Sequence, residues 1–308
     1  MLDLATIIVS YNTRDLLAQA LRALHSAVGR SGLATRTLVV DNASNDGSAE
    51  MVRRLFPWVT LLEPRENLGF AKANNLAMRQ LAFDAGQQGE ARAVWLLNPD
   101  TEVVGEAPAQ LLTHLDANPR VGAVGPSLRY GDGGFQHGAF AAPGLAQLIF
   151  ELFPVPARFH NGRMNGRYSP QMWRGPAPFQ VDTLLGAAMM VRGATIAQIG
   201  LMDERYFIYM EEMDWCRQIR RGGWQIHALP TATVIHHSGQ STQQFRYPMF
   251  VALWRARMYY YRKWDSPRYV AMVRRLVKAG MVLRLAAVKS DDPDAERRRT
   301  AYREVAAL

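Results

Sequence analysis

The chain has 308 residues, 48% of them apolar and 20% charged, with a net charge of +9. That composition can bury a full core of about two domains' worth and excludes a disordered or fibrous chain. A single cysteine, Cys216, excludes an internally disulfide-stapled fold.

The first residues, Met1 to Tyr11, have no basic stretch ahead of their apolar run. They read as a first strand and not as a signal peptide. No apolar run reaches the roughly 18 to 20 residues that span a bilayer. A soluble or peripheral cytoplasmic protein is expected.

In chain order, Thr6–Val9 reads as a strand, and Asn12 or Thr13 can cap a helix with Leu16, Leu17, Ala20, Leu21 and Leu24 on its apolar face. A second strand is predicted at Thr37–Val40, a helix at 48–55 and a third strand at Val59–Leu62. A helix at 71–83, a buried strand at 93–97, a helix over 102–117 and a strand at 121–124 follow. Strands alternating with helices imply a mostly parallel sheet covered on both faces. Ligands of such sheets sit beyond the carboxyl ends of the strands. That rule selects Ser10-Tyr11-Asn12, Asp41-Asn42-Ala43-Ser44 and Asn98-Pro99-Asp100.

From about 126 to 180 the pattern weakens among glycines and prolines and reads as a long, partly structured loop region. Order returns at 181–191, with a helix at 212–221, strands at 224–229 and 233–236, and helices after 245.

Three short stretches carry candidate chemistry. Asp100, at a strand end, can bind a hard divalent cation beside phosphate oxygens, although Asn-Pro-Asp also makes a good turn. Glu211, Glu212 and Asp214 place three acids at a helix start, where they can serve the macrodipole or can deprotonate a hydroxyl. His236 and His237 end a strand, where a histidine can complete a metal site or simply be a polar residue. Cys216, beside Trp215 and Ile219, reads as a packing residue.

The positive charge is concentrated. Residues 246–289 hold eleven Lys/Arg against one acid, Asp265, whereas residues 1–245 carry 21 of each sign. The same stretch is interleaved with aromatics from Phe245 to Tyr269. It suits an anionic membrane surface, nucleic acid, or an ordinary helical subdomain with a basic face. The neutral balance of residues 1–245 argues against nucleic acid as the main partner.

In order, Ser10-Tyr11-Asn12, the run Val39 to Ser48, and the run Glu66 to Asn75 resemble family 2 glycosyltransferases. Leu96 to Asp100, Asp203 to Arg217 and His236 to Ser241 continue the resemblance, which covers roughly residues 4–265. It is closest to the rhamnosyltransferase-like branch, which favours Asn-Pro-Asp over Asp-x-Asp. The resemblance implies the GT-A α/β fold in residues 1–245, with 246–308 as a helical basic region. It implies that Ser10 and Tyr11 line the nucleotide pocket and that Asp41 accepts the base's ring N–H. By the same resemblance Asn67, Gly69 and Lys72 lie near base and ribose, Asn98 near ribose or phosphate, and Gly186 with Ala187 near sugar or acceptor.

Asp100 and His236 would hold Mg²⁺ or Mn²⁺ on the diphosphate, His236 fitting the family spacing better than His237. The base position of the family's Glu-Asp pair falls on Glu212, with Glu211 and Asp214 as alternatives because Glu replaces the usual Asp. The resemblance implies an inverting transferase using a dTDP-, UDP- or GDP-sugar, with dTDP-L-rhamnose suggested by the branch. Its acceptor would be a glycan or lipid-linked hydroxyl in cell-surface polysaccharide synthesis. The rival reading is a non-catalytic nucleotide- or polyanion-binding protein of the same fold. The presence of every acid and of the histidine argues against it.

Overall fold

A computed structural model of the protein describes residues 1–237, 246–289 and 291–308. The expected Ser238 to Ser241 stretch and Phe245 lie outside the described residues.

The chain opens with β1 (Leu2–Ser10), α1 (Arg14–Ser31), β2 (Thr35–Asp41), α2 (Ser48–Leu55), β3 (Val59–Leu62), α3 (Gly69–Gln80) and β4 (Ala91–Leu97). These strands pair in parallel in the order β3-β2-β1-β4. The parallel core follows from strands that are apolar on both faces: Leu4, Ile7 and Ile8 of β1 and Val94 to Leu96 of β4 are fully buried. On α1 the inward face is Leu17, Ala20, Leu21 and Leu24, as the helical spacing predicted, with Leu16 at its half-buried edge.

The predicted helix over 102–117 is split. Thr101–Val104 is a strand, β5, and α4 begins only at Ala107 and runs to Ala117. Two physical reasons favour this. Val103 and Val104 are β-branched, and Pro108 is tolerated in a first helical turn but not in an interior one.

Beyond β6 (Val121–Arg129) the expected loop region is more ordered than its prolines suggested. It contains β7 (Phe135–Gln136), β8 (Ala139–Phe140), α5 (Leu145–Leu152) and β9 (Phe179–Gln180), and β10 (Thr183–Leu184) follows where order was expected to return. Then come β11 (Ala188–Arg192), α6 (Gly193–Ile199), α7 (Glu211–Arg221) and β12 (Gln225–His236). The two strands predicted around Pro230 are one strand, with its register shifted between Leu229 and Thr233. A proline has no N–H for the ladder, so pairing slips there without ending.

The full path of the sheet is β3-β2-β1-β4-β11-β6-β12-β5, with β11 antiparallel to both neighbours. One apolar cluster lies on each face of the sheet. A third core is built by α8 (Arg246–Trp264), α9 (Pro267–Ala286) and α10 (Ala295–Ala306) together with α5 and the segment before α7. In it Trp254, Tyr260 and Tyr261 are buried, and Tyr247, Phe250 and Trp264 pack around them. Much of the C-terminal aromatic content is therefore core. No described helix is long and apolar enough to cross a membrane.

Candidate active site

The carboxyl ends of β1, β2 and β4 bring the predicted loops together. Ser10 and Asp41 are register partners across β1 and β2. Asp41 is buried; its Oδ2 accepts from the Ser44 amide at 3.2 Å, while Oδ1 is buried with no protein partner. An unpaired buried carboxylate oxygen is costly, so it points to a donor group supplied by a ligand. Ser10 is fully buried, with its hydroxyl 2.8 Å from that of Thr13. Its exposed neighbour Tyr11 is the one open to a ligand.

Asn42, a residue the site expectations omitted, ties this loop to the next. Its Nδ2 donates to Asn67 Oδ1 at 2.8 Å, and its Oδ1 accepts from the Leu68 amide at 2.8 Å. An Asn directly after a strand-end Asp was the available signal. Asn12 and Ala43, at the ends of β1 and β2, are both left-handed non-glycine residues. Such conformations cost about 1–3 kcal/mol each and gather at functional loops.

Gly69 starts α3 with φ +77, and a Cβ there would lie 2.1 Å from the carbonyl oxygen of Phe207. Only glycine fits, and the Phe70 amide then donates to that carbonyl at 2.7 Å. The expected base-side loop is thus closed directly onto the segment that leads to the acids. Lys72 is exposed on α3.

Tyr209 and Met210, both left-handed at φ 72 and 70, precede the first turn of α7. Glu211 and Glu212 follow, each with one buried carboxylate oxygen that has no protein partner. Burial raises the pKa of Glu212 to about 7. Burial and then the neighbouring Glu212 charge push Glu211 well above the usual carboxylate range. A carboxyl near neutrality is suited to proton abstraction. The Gly186 backbone lies beside Glu212, so that a Cβ added there would meet Glu212 Cβ at 3.4 Å.

Asp214, weighed as a third candidate base, is spent on structure. Its Oδ1 accepts from Trp264 Nε1 at 2.6 Å and from the Tyr206 hydroxyl at 3.2 Å. Its Oδ2 accepts from Gln218 at 2.7 Å and from Lys263 at 2.8 Å. Lys263 also bridges to Asp203 at 2.8 Å. Burial alone would raise the Asp203 pKa, but hydrogen bonds from Arg205, Lys263 and Tyr259 outweigh it and hold that carboxyl well below its usual range. The fully buried Asp214 and Lys263 fasten α7 to α8, leaving Glu211 and Glu212 as the acids of this run with an unpartnered oxygen. Cys216 is buried against Met189, and burial pushes its thiol up to about 12.

The last part of the site depends on β5. Thr101 is the register partner of His236 in the antiparallel β5–β12 pair. Asp100 Oδ1 and His236 Nε2 are therefore 3.4 Å apart, both nearly excluded from solvent. His236 Nδ1 lies 3.1 Å from the buried Gln136 Oε1, a second residue that the site expectations omitted. A proton on Nδ1, donated to that oxygen, leaves the Nε2 lone pair facing Asp100, which is the usual arrangement of a metal-binding histidine. His237 instead pairs with Glu102 at 2.6 Å. No cluster of three or more His, Cys, Asp or Glu occurs among the described residues. Asp100 and His236 fit a hard divalent ion that takes its remaining ligands from a diphosphate and water.

Asn98 links this pair to the acids. Its amide donates to the Ala187 carbonyl at 2.9 Å, next to Gly186. Contacts thus join Asn42 to Asn67 and Gly69 to Phe207 on one side, and Glu212 to Gly186 and Ala187 to Asn98 on the other, where Asp100 and His236 follow. Behind the segment before α7, a groove of about 1310 Å³ is lined by Arg205, Phe207 and Ile208 with Tyr247, Val251 and Arg255 of α8.

The Glycosyl transferase family 2 profile matches residues 6–182, more than half of this chain. The chain belongs to glycosyl transferase family 2. It is 31% identical over 242 residues to the N-acetylglucosaminyl-diphospho-decaprenol L-rhamnosyltransferase of Mycobacterium tuberculosis, covering 78% of this chain and 77% of that one. A dTDP-rhamnosyl transferase RfbF of Shigella flexneri is 23% identical over 67% of this chain and 60% of its own. The mannosyltransferase PcManGT of Pyrobaculum calidifontis, solved in complex with GDP-Man and Mn²⁺, superposes with TM-score 0.57 at 16% identity, over 100% of this chain and 87% of that one. The family assignment and these folds agree with the expected GT-A architecture and the rhamnosyltransferase-like resemblance.

Proposed function

We propose that this family 2 glycosyltransferase is an inverting, metal-dependent rhamnosyltransferase. It would take L-rhamnose from dTDP-rhamnose to a hydroxyl of a lipid-linked glycan at a membrane, in cell-surface polysaccharide synthesis. The observation that carries the reading is the buried Asp100–His236 pair, linked through Asn98, Ala187 and Gly186 to Glu212. The two rhamnosyl-transferring relatives support the sugar, and the lipid diphosphate in the name of the mycobacterial one supports the acceptor.

Asp41 Oδ1 would accept the ring N–H of a thymine, which a buried, otherwise unpartnered carboxylate oxygen suits. Asp100 and His236 would hold a Mg²⁺ or Mn²⁺ ion on the donor's diphosphate. Such an ion supplies neutralisation of the charge that develops on the leaving phosphate oxygen. Glu212 would take the proton of the acceptor hydroxyl as that oxygen attacks the anomeric carbon. The bond from that carbon to the diphosphate breaks as the new one forms, so the anomeric centre inverts and no covalent intermediate forms. Glu211, whose proton affinity is likewise raised by burial and by the Glu212 charge, lies beside it.

The test is thermal stability against dTDP, UDP and GDP, each with and without Mn²⁺, followed by transfer from the matching sugar nucleotide. A ligand at about 100 times its dissociation constant stabilises by roughly 2.7 kcal/mol. A shift with dTDP that Mn²⁺ enlarges is expected. A metal-enlarged shift with another base reassigns the donor, and no shift with any base overturns the site.

A further inference from the structure

Two acid-free basic stretches flank one helix. Between Glu151 and Asp182 the chain has four arginines (Arg158, Arg163, Arg167 and Arg174) and no acid. The helix α9 has four arginines and a lysine and, again, no acid. They adjoin through α5, whose Leu152 fills the notch over Gly280 of α9, where a Cβ would lie 2.8 Å from it. Arg284 of α9 donates to the Glu151 carbonyl, and Gln147 of α5 lies against Gly166 in the other stretch.

The outward face of α9 repeats at helical spacing: Arg268, Met272, Arg275, Ala279, Val282 and Ala286 are all exposed. Val282 and its neighbour Leu283 are each 53% exposed, and Met164 in the other stretch is 64% exposed. Single exposed apolar residues are ordinary. Here they stand among cations: among the described residues, none of Arg158, Arg163, Arg268, Arg275 and Lys278 is ion-paired with a carboxylate. The aromatic rings that sequence analysis offered to a membrane are mostly packed inside, so the apolar part of this surface is aliphatic.

We infer that α9's outward face docks on an anionic bilayer. Its cations lie over the headgroups, and Val282 and Leu283 enter the acyl boundary. Charge complementarity selects this occupant: cations without acids attract anionic lipid, and aliphatic side chains between them add insertion that a polyanion in solution would not use. The inference deepens the lipid-linked acceptor reading and rests on it for its purpose, but its test does not depend on sugar transfer.

The full chain would be sedimented with vesicles of phosphatidylcholine, alone or mixed with phosphatidylglycerol, at low and high salt. Binding to the mixed vesicles, weakened by salt, is expected. Arg275→Glu with Lys278→Glu should lower the partition coefficient by roughly tenfold or more. Val282→Ser with Leu283→Ser should lower it several-fold, and Arg22→Glu on α1 should leave it unchanged. All four positions on α9 are exposed, so these variants keep their fold, which an unaltered melting midpoint verifies.

Equal binding to neutral and mixed vesicles, or α9 variants that bind as the parent does, overturns the inference. So does a parent chain that ignores vesicles but binds single-stranded oligonucleotide. A parent dimer that Val282→Ser with Leu283→Ser converts to monomer, with no vesicle binding, gives this face to a second copy instead. Lost vesicle binding with transfer to a soluble acceptor intact removes only this inference. Vesicle binding without any nucleotide-induced stabilisation removes the site reading and leaves the surface.

Discussion

His236 Nε2 faces Asp100 Oδ1 at 3.4 Å while His236 Nδ1 rests on Gln136 Oε1 at 3.1 Å. One imidazole is thus oriented by an amide from β7 and directed at a carboxylate from the end of β4. Gln136→Ala should leave the fold intact and weaken Mn²⁺ affinity by about 10- to 100-fold, the usual effect of losing the partner that orients a metal-binding histidine. Titrating Mn²⁺ by its paramagnetic resonance signal, in the presence of dTDP, reads this directly. Asp100→Ala should abolish both the metal-dependent part of the stabilisation and transfer.

The base-side carboxylate makes a separate prediction. Asp41→Asn replaces an acceptor oxygen with either an amide oxygen or a donor, and should weaken nucleotide binding by about 1–3 kcal/mol. Calorimetry with dTDP would measure it. An unchanged dissociation constant would remove Asp41 from the nucleotide pocket.

Glu212 should govern the pH profile. With its pKa raised to about 7 by burial, its ionised fraction, and so kcat/KM, should rise with pH through about 7. Stability should move the other way. The folded chain holds a proton there that the unfolded chain gives up near its ordinary value of about 4.3, so this contribution is fullest below that value and is lost as pH rises through about 7. Glu212→Gln should remove the rising limb and most of the activity while leaving dTDP-induced stabilisation in place.

Lys263 joins Asp203 and the fully buried Asp214, so Lys263→Met strands a buried carboxylate. A loss of about 3–5 kcal/mol is expected, read as a lower denaturation midpoint. Asp214→Asn should act on stability more than on kcat, because Asp214 has no oxygen left for a substrate.

Gly69→Ala tests the closure of the base-side loop onto Phe207. The added methyl cannot fit at 2.1 Å from a backbone oxygen, and its conformation at φ +77 disfavours any side chain. KM for the donor should rise and the segment carrying Glu211 and Glu212 should loosen, visible as faster amide exchange in α7's first turn.

The alternation of β-rich and helical stretches was enough for the α/β sheet, because each element buries a face whose period is written locally. The strand-end rule likewise placed Asp41 and Asp100 at the carboxyl ends of β2 and β4. What local pattern could not carry was pairing across distance. The helix expected over 102–117 gave way to β5 because β12 offered a partner edge, and that substitution put Asp100 beside His236. The acids at 211, 212 and 214 look equivalent as a run. Tertiary packing separated them, giving Asp214 four donors from α7, α8 and Tyr206 and leaving Glu212 an unpartnered buried oxygen. The C-terminal aromatics and cations likewise alternate in sequence, yet folding sent many of the rings inward and left the aliphatic side chains of α9 outside. Composition decided which groups were present. Only the folded chain decided which of them meet, because hydrogen bonds and desolvation act over a few ångströms, whatever the distance along the sequence.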